Sequence, residues 1–174
     1  MDYPFKLPNN LSEQQIKTML LLCYEYATKD SDDPRTKNFA MIVDQTNGLI
    51  LRGKANKLPI GIVKNEARLT DKDFKSKVMI HAEENVIITA SREIDSYAMV
   101  CPYASCPHCA RMIIQSGIRL LIRHKVLMDK VPKHQKIGDI DFSDNLFKEA
   151  KVEIIDYPEY VGSKIMFDGE LHAV

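Results

Sequence analysis

The sequence predicts an α/β domain in which helices cover a central sheet. An early strand hairpin is followed by alternating helices and strands, and such alternation places helices against a sheet. The chain has 174 residues, of which 45% are hydrophobic, and this suits one domain with a substantial core. It contains no internal repeat or low-complexity segment. We therefore expect residues 1–174 to form a single domain.

The first half of the chain begins with a helix and continues with the hairpin. Ser12 is a suitable N-cap, and the apolar residues after it recur at helical spacing, which predicts a helix to about residue 29. The apolar run 39–44 predicts a strand. Asn47 and Gly48 then supply a turn before a returning strand at 49–51.

The second half alternates between helices and strands. After a polar, loop-rich stretch, helical apolar spacing returns over residues 82–92, and another helix is predicted over 107–116, before Gly117. Short apolar runs predict strands at 97–101 and 120–122. The C-terminal part is expected to add a helix and one or two strands, at 145–150, 152–155 and 165–167.

Charge and segment length exclude several classes of protein. The 24 Lys and Arg residues balance 24 Asp and Glu residues, which argues against a nucleic-acid coat or a polybasic membrane binder. The apolar runs are too short to span a bilayer, and the N-terminus lacks the pattern of a secretory signal. We expect a cytoplasmic protein whose four cysteines are free or bind metal.

Two short motifs contain the ligands of a catalytic zinc site. His81 opens the motif His-Ala-Glu-Glu-Asn, and Cys106 and Cys109 belong to Cys-Pro-His-Cys, each motif at the predicted start of a helix. One imidazole and two thiolates leave the fourth tetrahedral position of zinc to water, which is the catalytic arrangement. The two cysteines share one face of a helical turn, near an N-terminus that favours thiolates. We predict zinc at His81, Cys106 and Cys109.

Glu83 is the predicted catalytic residue. It lies two residues after His81, close enough to exchange protons with a zinc-bound water without binding the metal. His-x-Glu followed by Cys-x-x-Cys, here 23 residues after Glu83, is the pattern of zinc deaminases. On this spacing we favour Glu83 over Glu84.

The separate motifs also have other interpretations. A Cys-x-x-Cys can be half of a zinc ribbon, but the chain has no second copy. A redox pair would leave His81 and Glu83 unexplained. His108 lies between the two cysteines, where simultaneous tetrahedral binding is awkward. Cys23 and Cys101 are expected to be core thiols.

Beyond these motifs, the chain resembles the deoxycytidylate (dCMP) deaminases of the cytidine deaminase-like superfamily. The resemblance implies a three-layer αβα fold with a central mixed sheet, one catalytic zinc and a homo-oligomer, often a hexamer. It rests on the segments 33–37, 56–61, 81–85, 109–118 and 146–152.

The same resemblance implies an activity in pyrimidine deoxynucleotide metabolism, the hydrolytic deamination of dCMP to dUMP and ammonia. Glu83 would deliver protons to N3 of the pyrimidine and to the leaving amine. Asn56 would contact the sugar. Arg35 and Lys37 are candidates for the 5′-phosphate, because a dianion needs charge-assisted donors. The alternative for these two basic residues is a solvated loop.

Three positions depart from the family pattern. Ser105 stands where the zinc-deaminase signature has a proline before the first cysteine. Ala55 and Lys57 stand where the family has the tyrosine and glycine of an effector-binding loop. This argues against control by dCTP or dTTP, and it leaves room for a 5-substituted dCMP as the substrate.

Two alternative functions stay open. The first is deamination of another substrate, namely cytidine, a riboflavin precursor or adenosine in transfer RNA. Zero net charge argues modestly against transfer RNA. The second is a catalytically inactive zinc-binding regulatory module, which the presence of Glu83 opposes. We expect a small-molecule nucleotide as the partner, and neither a membrane nor a nucleic acid.

Overall fold

A computed structural model of the chain describes residues 11–90, 93–131 and 137–174. It confirms the predicted α/β class, with seven strands in the described residues. Their ranges are β1 (Phe39–Asp44), β2 (Ile50–Ala55), β3 (Tyr97–Val100), β4 (Leu120–His124), β5 (Glu153–Tyr157), β6 (Lys164–Phe167) and β7 (Glu170–Ala173).

The main sheet is mixed, as expected. Its strand order is β2-β1-β3-β4-β5, and β6 and β7 form a separate antiparallel hairpin. Strand β1 runs antiparallel to both β2 and β3, so the predicted hairpin is present at one edge of the sheet. Strands β3, β4 and β5 are parallel to one another. Parallel neighbours need crossover connections, and helices supply them.

Two of the helices in the described residues differ from those that the sequence predicts. Ser12 caps the first helix in a capping box with Gln15, as its position suggested. A short helix directly after β4 and the early start of the last helix at Ile137 were not expected. The ranges are α1 (Glu13–Asp30), α2 (Glu66–Thr70), α3 (Lys72–Val78), α4 (Ala82–Ile88), α5 (Pro107–Gln115), α6 (Lys125–Lys130) and α7 (Ile137–Glu149).

Alternation along the strands divides the core into two clusters, one on each face of the sheet. Met41 and Val43 pack with α1 residues such as Leu20. Ile42, between them, packs on the opposite face with residues of α4, α5 and α7, among them Ile113. The result is the expected three-layer αβα arrangement.

No helix among the described residues has the length and hydropathy needed to cross a bilayer. The N-terminal residues used to judge the absence of a secretory signal lie outside the described ranges.

A fully buried histidine joins α1 to the loop after β5. His124 places Nδ1 2.6 Å from the Tyr24 hydroxyl and Nε2 2.8 Å from the carbonyl oxygen of Glu159. Because Nε2–H donates to that carbonyl, Nδ1 accepts from the tyrosine. Burial lowers the pKa of His124, which keeps the ring neutral at pH 7.

We expect Tyr24→Phe to lower the free energy of unfolding by about 1–3 kcal/mol, because it leaves the buried Nδ1 of His124 without a donor. The matched control is Tyr26→Phe, since Tyr26 is 43% exposed. Urea unfolding of both variants at pH 7.5 measures the difference. Equal stabilities for the two variants would contradict the importance of this contact.

Candidate active site

The N-termini of α4 and α5 bring the three predicted metal ligands together. His81 is the N-cap of α4, Cys106 is the N-cap of α5, and Cys109 lies in the first turns of α5. One ligand atom from each lies within 4.8 Å of the other two. His81 Nδ1 is 3.5 Å from the sulfur of Cys106 and also 3.5 Å from that of Cys109.

These distances fit a tetrahedral zinc ion. Zn–N bonds of about 2.05 Å and Zn–S bonds of about 2.3 Å place nitrogen and sulfur about 3.6 Å apart in a tetrahedron. Within the described ranges, no other group of three or more histidine, cysteine or acidic side chains converges in this way. The donor set therefore matches a zinc centre with one position left for a non-protein ligand.

The ligands also adjust one another's protonation. The neighbouring Cys109 thiol and the His81 ring lower the pKa of Cys106 to about 3. Contact with Cys106 in turn raises the pKa of His81 to about 9. Its hydrogen bond with Cys106 and burial raise the pKa of Cys109. The cluster thus favours a thiolate at Cys106, the form in which sulfur binds metal.

Asn56 explains why His81 is available as a ligand. An N-cap residue normally uses its side chain to accept from the first backbone N–H groups of its helix. His81 makes no such bond. Instead, Asn56 Oδ1 accepts from the N–H of Ala82 at 2.9 Å. The imidazole is therefore free to face the two cysteines.

Glu83 extends from the first turn of α4 into a cavity beside the metal ligands. It is only 3% exposed, and this burial raises its pKa, although the nearby His81 ring opposes the shift. Glu84 lies outside this cavity, and its carboxylate lies 3.4 Å from Nε2 of His108. The geometry therefore places Glu83, and not Glu84, in the cavity that His81 and Cys106 also line.

The cavity is small, with a volume of about 160 Å³. Sites for whole small molecules commonly measure about 300–1,000 Å³, so this cavity suits a single ring. It lies between the two helix N-termini, the start of α7 and the end of β6. Its lining consists of Thr36, Asn38, Asn56, His81, Glu83, Tyr103, Ala104, Ser105, Cys106, Asp139, Ile140 and Phe167.

Several lining residues were not identified from the sequence. Asn38 stands directly before the predicted first strand, and its Nδ2 donates to Cys101 Sγ at 3.3 Å. Asn38 could have been identified from the sequence, because it is a polar residue at the start of a predicted buried strand. Ile140 and Phe167 approach the cavity only through the packing of α7 and β6, which no local pattern reveals.

The structure leaves the two predicted phosphate contacts outside the cavity lining. Lys37 Nζ donates to the carbonyl oxygen of Thr28 at 2.8 Å. Arg35 is exposed, and its guanidinium packs against Gly169. Thr36, the residue between them, does line the cavity. Arg35 and Lys37 are therefore sequence neighbours of a residue that lines the cavity, but neither side chain reaches the cavity in this structure.

Comparison with known proteins identifies relatives of this chain. The family described as "Cytidine and deoxycytidylate deaminase zinc-binding region" matches residues 13–125. A deaminase from Aliivibrio fischeri is 30% identical over 128 residues, which cover 74% of this chain and 84% of that protein. The deoxycytidylate deaminase of Enterobacteria phage T2 is 29% identical over 101 residues, covering 56% of this chain and 49% of the phage enzyme.

Solved structures share the fold. The structure of dCMP deaminase from the cyanophage S-TIM5, in complex with dCMP and dUMP, superposes with a TM-score of 0.64 at 20% identity. The match covers 84% of this chain and 99% of the cyanophage chain. This likeness confirms the predicted fold.

We expect the purified chain to contain about one zinc ion, and Cys106→Ser to lose most of it, because two ligands hold zinc far more weakly than three. Cys23→Ala is the matched control, since Cys23 is a buried free thiol outside the cluster. Elemental analysis of the folded proteins gives the metal content. Full zinc content in Cys106→Ser would contradict the assigned ligand set.

Proposed function

Since the chain belongs to the family of the cytidine and deoxycytidylate deaminase zinc-binding region, we propose that it catalyses the hydrolytic deamination of dCMP, or of a 5-substituted dCMP. The products are dUMP, or its 5-substituted form, and ammonia. The observation that carries the proposal is the buried carboxyl of Glu83 in a cavity that is also lined by His81 and Cys106, two of the three clustered metal ligands. A structural metal site has no need of such a group.

The chemistry divides between the metal and Glu83. When bound at His81, Cys106 and Cys109, zinc lowers the pKa of water and so supplies a nucleophile at neutral pH. Glu83 accepts a proton from the water that adds to C4. It delivers that proton to N3 of the ring, and it then transfers the second proton of the same water, from the hydroxyl group now on C4, to the departing amine. The C4–N bond breaks, ammonia leaves, and C4 keeps the oxygen from water.

The dimensions of the cavity support a substrate with a single ring. A volume of about 160 Å³ takes a pyrimidine, and the sugar and phosphate then lie at the mouth. Asn56 is the proposed sugar contact. Its Oδ1 accepts from Ala82, and one hydrogen of Nδ2 is donated to Thr36, which leaves the second hydrogen for a ligand.

Arg35 and Lys37 are the proposed phosphate contacts. They flank Thr36 in the cavity wall, and both side chains are long enough to turn toward a dianion at the mouth. Lys37 would exchange its hydrogen bond to a backbone carbonyl for a charge-assisted one, which is the stronger kind.

We also propose a cytoplasmic homo-oligomer, with a hexamer as the expected form. In the loop after β2, Ile60 is fully exposed, and Ile62 and Val63 are also exposed. Adjacent exposed apolar side chains are typical of contact surfaces between proteins. All four cysteines are free, as expected in a reducing compartment.

We expect Glu83→Gln to keep its zinc and to lose at least about 100-fold in kcat, because an amide does not shuttle protons. Glu84→Gln is the matched control, since it makes the same change one residue away and outside the cavity. Ammonia release from dCMP measures both variants. Wild-type turnover by Glu83→Gln would show that the mechanism is wrong.

We expect Arg35→Ala to raise KM for dCMP about 10-fold and to leave KM for deoxycytidine unchanged, because only dCMP carries the dianion. Arg119→Ala is the control, an exposed arginine that does not line the cavity. Steady-state kinetics should include 5-hydroxymethyl-dCMP and cytidine. A wild-type enzyme that releases no ammonia from any monophosphate would refute the proposed substrate class.

A further inference from the structure

We propose that Ser105 is a positioning residue that holds the Glu83 side chain during proton transfer. This inference rests on the proposed deaminase function and adds a role that the zinc ligands and Glu83 do not explain. Its starting point is an unusual atom. Among the described residues, the Ser105 hydroxyl is the only buried side-chain oxygen or nitrogen without a hydrogen-bond partner.

A buried hydroxyl without a partner is unfavourable for folding, since it has lost its hydrogen bonds to water. Ser105 is only 1% exposed. Native proteins satisfy most such groups, and the exceptions concentrate at sites with a function. The position of this hydroxyl therefore indicates a partner that engages it during the reaction.

The location identifies that partner. Ser105 lines the same cavity as Glu83, and it directly precedes the ligand Cys106. The Ser105 hydroxyl makes no hydrogen bond in this structure, and Glu83 supplies the buried carboxyl of the same cavity, so a hydrogen bond between this hydroxyl and this carboxyl is the one that the lining offers. In unliganded active sites such bonds are often long, and they shorten when substrate is bound.

A hydroxyl suits a carboxyl that changes its protonation state. An ionised carboxylate only accepts hydrogen bonds, whereas a protonated one also donates. The serine O–H donates to the former, and by rotating it accepts from the latter. Ser105 therefore keeps a contact with Glu83 before and after each proton transfer, and this holds the carboxyl toward the substrate.

The sequence supplies an independent reason to single out this position. The zinc-deaminase signature has proline directly before the first cysteine, and proline has neither a hydroxyl nor an N–H. This chain has Ser105 instead. The substitution thus adds one hydrogen-bonding group, and the fold places it beside the catalytic carboxyl.

The test compares Ser105→Ala with Ser105→Thr in the full chain, with zinc content measured for each. We expect Ser105→Ala to lower kcat for dCMP about 10-fold, with less than a twofold change in KM and full zinc content. Ser105→Thr keeps the hydroxyl and should retain kcat within about threefold. The alanine variant should be at least as stable as the wild type, because it removes the unpartnered atom.

A double-mutant cycle tests whether Ser105 acts through Glu83. In the Glu83→Gln background, Ser105→Ala should have no further effect on the residual rate. An equal loss in both backgrounds would overturn the proposal, and so would unchanged kcat in Ser105→Ala. A change confined to KM would instead make Ser105 a substrate contact. If Ser105→Thr were as impaired as Ser105→Ala, side-chain shape rather than the hydroxyl would be responsible.

These outcomes are separate from failure of the proposed function. An inactive wild-type enzyme would remove the deaminase function and the role of Ser105 together. An active wild type with an equally active Ser105→Ala would remove only the role of Ser105. Should the alanine variant lose its zinc, Ser105→Gly and Ser105→Pro provide second variants without the hydroxyl, to be compared with Ser105→Thr in the same cycle.

Discussion

The geometry of the site depends on the carboxamide of Asn56, which fastens the start of α4 to the end of β2. Its Oδ1 accepts from Ala82, and its Nδ2 donates to the carbonyl of Thr36 at 2.8 Å. Asn85 adds a second connection, since its Nδ2 donates to the carbonyl of Ala55 at 2.9 Å. Because Asn56 caps the helix, His81 keeps its ring for the metal. A residue predicted for substrate binding therefore also builds the metal site.

The sheet fixes the other half of the site. Strand β3 leads through residues 101–105 to α5, and its parallel neighbour β4 lies beside it. In open α/β sheets, ligands bind beyond the carboxyl ends of parallel strands, because the loops that start the helices gather there. The same placement explains the buried Glu83. The Glu83 carboxyl lies in the cavity between two helix N-termini, where burial raises its pKa and a small molecule can reach it.

The sequence predicts the metal ligands of this site better than it predicts the residues that line the cavity. The grouping of His81, Cys106 and Cys109 was predictable because zinc limits the ligand types and the helical turn limits their spacing. The first strand was predicted at its observed limits, since a buried apolar run is a local signal. The capping role of Asn56 was not predictable, because it joins residues 26 apart in sequence. Ile140 likewise reaches the cavity only through tertiary packing.

The segment between Asn56 and His81 is long, and its two ends are joined to each other beside the site. Lys57 and Ile80 exchange backbone hydrogen bonds of 3.0 and 2.9 Å, which join the two ends of the segment next to the residues that form the site. Between those ends, α3 buries no side chain, and the segment is held to Asp32 and Asp33 by lysine ion pairs of 2.8–3.3 Å. The two lysines paired with Asp32 are exposed, and such pairs contribute little to stability, whereas Lys75 and Asp33 form a largely buried pair that holds α3 in place. The backbone bridge between Lys57 and Ile80 therefore fixes the two ends that border the site, and the length of the exposed loop between them has only a small entropic cost.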